Sequence, residues 1–155
     1  MKNFSDNKLI KKNVPATQAL LFTIARLSEA IAWLEEIEKE WEKNQQVNKD
    51  GHVLRLRSHI LKDAVAMYVS TLAEPHGSGH SLVKSYAPSK FVKEFLALPI
   101  VKKCQMNRNN RSGHESKSYG GFVSSEEILV SELRPWVKKV KVFLELTPEN
   151  NDPST

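Results

Sequence analysis

Apolar residues recur along this chain at spacings of three and four. Between Pro15 and Lys43 the positions Leu20, Ile24, Leu27, Ile31, Leu34 and Trp41 keep that alternation, with one polar slot at Glu38. This is the period of a helix with one buried face. Leu21, Ala25, Trp33 and Ile37 widen the apolar face, while Glu35, Glu36, Glu38, Glu40 and Glu42 make the rest of the second half acidic. Pro15 suits an early helix position, where no N–H is needed. A polar loop over residues 44–51 leads to a second helix from about Gly51 to Ala73. Two apolar stripes run along it, one through Val53, Leu56, Ile60, Ala64 and Met67, the other through Leu54, Leu61, Val65, Tyr68 and Leu72. Two stripes predict a helix packed on more than one side, central in a bundle.

Pro75 and the Gly77-Ser78-Gly79 run end that helix, and residues 76–88 read as a loop. A short helix over roughly Ser89–Ala97 carries Phe91, Val92, Phe95 and Leu96. Pro99 then starts or kinks the next helix. Beyond Gly120-Gly121, Ser124-Ser125-Glu126-Glu127 has the spacing of a capping box. Leu129, Leu133, Trp136, Val140 and Phe143 define a last amphipathic helix. Pro135 falls inside it and predicts a kink or break near residues 131–132. No segment alternates with a period of two. The fold class is all-α, a bundle of four to five helices. Residues 1–14 form a basic arm, residues 15–146 the helical domain, and residues 147–155 a disordered tail.

Composition narrows the class. A chain of 155 residues with 40% hydrophobic and 26% charged residues has the makeup of a single globular domain. No apolar run reaches the ~18 residues of a membrane span, and residues 1–14 contain no apolar signal core. The single cysteine, Cys104, permits no internal disulfide, so a reducing cytoplasm is the expected compartment. The net charge of +5 favours polyanionic partners only modestly.

Chemistry concentrates in one place. Asn107-Arg108-Asn109-Asn110-Arg111-Ser112-Gly113-His114 holds two guanidiniums, three carboxamides and an imidazole, with Lys102 and Lys103 just before it. An imidazole can take or give a proton near neutral pH, and a guanidinium offers a fork of donors to phosphate oxygens. RNA presents a 2′-hydroxyl beside each phosphate, so such a set can cleave it without a metal. Arg111, Lys102 and Lys103 can hold the backbone without reading sequence. The cluster lacks the carboxylates of a magnesium site, and no cofactor is expected.

The Arg108-Asn109 pair, with five residues between Arg108 and His114, just ahead of the final helix, resembles the motif of the HEPN domain. HEPN domains form a helical nuclease and RNA-binding superfamily of prokaryotic defence and toxin–antitoxin systems. The resemblance extends to the all-α pattern, the chain length and the two long leading helices, over about residues 15–146. It implies a metal-independent endoribonuclease in which Arg108, Asn109 and His114 are catalytic and a 2′,3′-cyclic phosphate is left. It also implies a two-fold homodimer that brings two motifs into one cleft, and an antitoxin or other regulatory partner protein. Tyr119 lies five residues after His114, so the tyrosine role of one toxin branch is not carried over. A HEPN-like module without catalysis, binding RNA or a protein, is the alternative.

Other clusters have blander readings. His76 and His80 stand four apart in a Gly-rich loop, a zinc spacing with no third ligand in sequence. His59 with Arg55, Arg57 and Lys62 reads as a solvated basic face, with an RNA-facing surface as the lesser reading. Asp63 reads as exposed or paired, or else as orienting the motif's Arg or His. Trp33 and Trp41 read as core or dimer interface, and Cys104 as packing.

Overall fold

The computed structural model describes residues 15–44, 51–77, 79–109 and 128–148. Among them are six helices and no strand: α1 (Ala16–Asn44), α2 (Gly51–Ala73), α3 (Leu82–Tyr86), α4 (Lys90–Ala97), α5 (Pro99–Asn107) and α6 (Val130–Leu146). The fold is all-α. None of these helices is long and apolar enough to cross a membrane. The basic arm over residues 1–14 and the capping box at Ser124–Glu127 lie outside the described residues.

The α1 stripe forms as its spacing dictates. Leu20, Ile24, Leu27, Ile31 and Leu34 are all buried, and they meet Val65, Val69 and Leu72 of α2 in one core. Each such side chain, taken from water, contributes about 1.5–3 kcal/mol. α2 packs on α1 and α5, and α6 packs on α1. A Glu35–Arg134 ion pair also links α1 to α6.

The two stripes of α2 have different fates. Leu54, Val65 and Leu72 turn inward, but Leu56, Ile60 and Met67 are exposed. Hydrophobic period alone does not say which stripe a neighbour covers, and α2 is therefore less enclosed than its composition predicts. Trp33 and Trp41 are likewise exposed, so neither belongs to the core.

The segment read as a loop over residues 76–88 contains α3. Ser81 caps it, its Oγ accepting the Lys84 N–H at 3.1 Å. The Tyr86 and Thr17 hydroxyls hydrogen-bond at 2.6 Å, which ties α3 to the start of α1. Tyr86 also meets Phe143 edge-on, and Phe143 stacks on Phe91 with centroids 4.4 Å apart. This aromatic cluster fastens α3 and α4 to α6. Pro99 opens α5 at its first position, where its missing N–H costs nothing. α6 begins at Val130 and winds on through Pro135, so the break expected at residues 131–132 does not occur. The bond forfeited is the one to the Ser131 carbonyl, in the first turn of the helix and on an exposed residue.

Candidate functional site

Arg108 closes α5. Its N–H donates to the carbonyls of Cys104 and Gln105, and its backbone stays helical at φ −57° and ψ −49°. Asn107 beside it and Cys104 one turn back are both buried. They anchor the helix end, so the guanidinium departs from a fixed backbone. It reaches the residue that follows α2: Arg108 Nη1 donates to Glu74 Oε2 at 2.8 Å. With 42% and 32% of the two side chains exposed, the pair sits at the surface and is screened by solvent. Its effect is to fix the orientation of the guanidinium.

Glu74 is itself held. Its Oε1 accepts the His76 backbone N–H at 3.2 Å. That bond, and then the one from Arg108, hold its carboxyl below the usual carboxylate range.

The loop after Glu74 folds around an ammonium. Lys84 Nζ donates to the carbonyls of His76 at 3.3 Å, Gly77 at 3.0 Å, and Gly79. Gly77 takes φ +91°, a conformation that strains any residue with a Cβ, and there the chain turns back toward α3. Lys84 therefore acts on the protein's own backbone, where its three donors are used.

These elements enclose a cavity of about 400 Å³. Thr71 and Glu74 line it from α2 and its end, His76, Gly77, Gly79 and His80 from the loop, Lys84 from α3, and Arg108 from α5. Reasoning from the sequence singled out Arg108 for chemistry but did not connect it to Glu74, which it noted only beside the two histidines as part of a weak zinc candidate. Among the described residues, no three His, Cys, Asp or Glu side chains gather to hold a metal.

The remaining motif residues fall elsewhere. Asn109 is exposed and does not line the cavity. Lys102 is exposed and Lys103 half-buried, six and five positions before Arg108. A helical register of 3.6 residues per turn turns them roughly 120° and 140° away from it, so they do not share its cavity. Arg111 and His114 lie outside the described residues. Cys104 is fully buried, and burial pushes its thiol up to about 12, so it offers no thiolate.

A larger cavity, about 550 Å³, lies between the end of α1 and the start of α2. Arg55, His59 and Lys62 line it together with Glu38, Glu42 and Trp41. Carboxylates balance the cations there, and Arg108 is not among its walls. Asp63, on the same helix, is half-buried.

Comparison with family models, with curated proteins and with solved structures finds no match for this chain.

Proposed function

We propose that this chain is a metal-independent endoribonuclease of HEPN-like type, with a toxin or phage-defence role in the cytoplasm. The observation that carries this reading is the Arg108 guanidinium, held by Glu74 at 2.8 Å over a cavity that also holds two imidazoles. A guanidinium fixed before substrate arrives stabilises phosphoryl charge as it develops, because little reorganisation remains to be made. In this reading Arg108 clamps the phosphate, Asn109 donates to the same oxygens or orients an imidazole, and His114 moves the proton. Arg111, Lys102 and Lys103 hold the RNA strand.

One histidine does not serve both sides of a phosphorus at once. The homodimer implied by the HEPN resemblance supplies a second one, and the outer face of α1 and α2 is where we place the partner copy. Trp33 and Ile60 are exposed there, beside Glu36 and Glu40 of α1 and Arg57 of α2. A two-fold axis sets the acidic edge of one copy against the basic edge of the other.

Cleavage of a labelled single-stranded RNA in EDTA tests the reading. Wild type yields fragments ending in a cyclic phosphate. His114→Ala and Arg108→Ala reduce the rate by about 10²–10³ or more, and an all-DNA strand survives. Cleavage that persists in Arg108→Ala overturns the proposal. Salt-sensitive RNA binding without cleavage favours the second reading, a HEPN-like module that binds RNA or a partner protein and does no chemistry.

A further inference from the structure

The loop that Lys84 organises carries two imidazoles that the fold does not use. His76 and His80 both line the Arg108 cavity, and both are exposed. The loop keeps its shape through backbone groups instead: the His76 N–H bonds to Glu74, and the carbonyls of His76, Gly77 and Gly79 bond to Lys84. Among the described residues, no hydrogen bond holds either ring. The loop also leaves room beside them. A Cβ placed on Gly77 or Gly79 meets no atom within 4 Å, so none of the described residues fills that space.

The remaining walls narrow what enters. The Thr71 hydroxyl donates to the Met67 carbonyl at 2.9 Å, and the Lys84 ammonium is committed to loop carbonyls. Arg108 gives one Nη1 hydrogen to Glu74 and keeps the rest of its fork. The donors left over are one guanidinium and two imidazoles. The charged groups facing both rings are Glu74 after α2, Lys84 on α3 and Arg108 on α5. The two cations outnumber the carboxylate, and an imidazole that takes a proton adds to the excess. The cavity of Arg55, His59 and Lys62 differs, because Glu38 and Glu42 offset its cations. Of the two cavities, the one at Arg108 is the seat for an anion.

Charge and shape select among anions. A phosphodiester carries one negative charge and two terminal oxygens. A phosphomonoester carries close to two charges at neutral pH and three strongly accepting terminal oxygens. Three donor groups around one cavity match three oxygens. A dianion also gains more from imidazoles, which become cationic as pH falls from 8 to 5. At about 400 Å³ the cavity is in the size range of small-molecule sites, so a group attached to the phosphate has room as well.

We infer that this cavity is a binding site for a terminal phosphate, a phosphomonoester held by Arg108, His76 and His80. A free nucleotide and the phosphorylated end of an RNA strand both present that group. The inference stands apart from the ribonuclease reading, because it concerns occupancy and not cleavage. Arg108 is common to both, so under that reading a bound monoester competes with the RNA to be cleaved.

Equilibrium dialysis of the full chain against radiolabelled adenosine 5′-monophosphate is the test. Wild type is compared at pH 6.5 and pH 8 with His76→Gln, His80→Gln, the double variant and Arg108→Gln. Lys62→Gln, in the other cavity, also removes one positive charge and is the control. Both rings are exposed, so the histidine variants are expected to melt like wild type. Wild type is expected to bind about three- to tenfold more tightly at pH 6.5 than at pH 8. The double variant loses that pH dependence, and Arg108→Gln loses about tenfold in affinity at both pH values. Lys62→Gln binds like wild type. Strands carrying 2′-O-methyl groups, which resist attack by a 2′-hydroxyl, then separate the sources. Displacement of the nucleotide by a 5′-phosphorylated strand, and not by its 5′-hydroxyl counterpart, assigns the RNA end. Displacement by neither assigns the free nucleotide. Equal displacement by both overturns the terminal-phosphate assignment. The inference is also overturned by a wild type without saturable binding, by unchanged affinity and pH dependence in the double variant, or by an equal loss in Lys62→Gln. RNA cleavage that depends on Arg108 in any of those cases leaves the ribonuclease reading standing.

Discussion

Glu74 ties two distant parts of the chain through one carboxylate. It accepts the His76 N–H and the Arg108 guanidinium, and both lower its affinity for a proton. A carboxyl whose folded pKa lies below the unfolded value of about 4.3 adds stability that is complete above that value. The contribution is lost as pH falls through the lower folded value. Glu74→Gln is therefore expected to lower Tm at pH 7 and to lose its effect progressively below about pH 4.3, as pH falls through the lower folded value and wild type becomes protonated too. Thermal melts of both proteins from pH 7 to pH 3 check this. A deficit equal at both ends would mean that Glu74 acts by packing rather than charge. The same carboxylate marks where sequence reading stopped. Arg108 stood out because it sits in a dense polar run. Its partner lies 34 residues earlier with no periodic relation to it, and only the packing of α5 against α2 brings them together.

At the scale of elements, period and end signals place most helices. The α1 stripe, the Gly51–Ala73 span and the proline start of α5 are all legible as spacing and caps. α3 was not, because its five residues are too few to show a period and Gly and Pro crowd both sides. Its one local signal was Ser81, three positions before the Lys84 N–H that it caps. Nor does a pattern with two stripes reveal which one is covered, as exposed Leu56 and Ile60 demonstrate. α5 offers a probe of how firmly the site is mounted. Cys104, on its inner face, is fully buried with its thiol near 12. Alkylation by iodoacetamide at pH 8 is expected to be negligible in the native protein and complete in denaturant, with the native rate following the opening free energy. Rapid native labelling would show that α5 detaches readily and that Arg108 is loosely held.

Among the described residues the molecule has two unlike sides. Its core joins α1, α2, α5 and α6, while the outer face of the α1–α2 pair exposes Phe22, Trp33, Leu56 and Ile60. Among the described residues nothing covers these side chains, and exposed apolar surface of this kind is where a docking partner is to be tested for. With a second copy as occupant, Trp33→Glu and Ile60→Glu are expected to turn a dimer into a monomer in sedimentation velocity. Their Tm at low concentration should stay within a few degrees of wild type, since neither side chain is in the core. A wild type that sediments as a monomer at every concentration would remove the partner copy from the proposal.

The Lys84 ammonium, wrapped in the carbonyls of its own loop, bears on the proposed binding of RNA. Binding a nucleic acid is driven largely by the small cations that leave each neutralised phosphate. A side chain already spent on backbone oxygens displaces none of them. Arg108, shared with Glu74, displaces less than a whole one. The chain's excess of basic residues therefore overstates its grip on phosphate at this cavity. Under the ribonuclease reading, RNA affinity there is expected to fall less steeply with salt than a net charge of +5 implies.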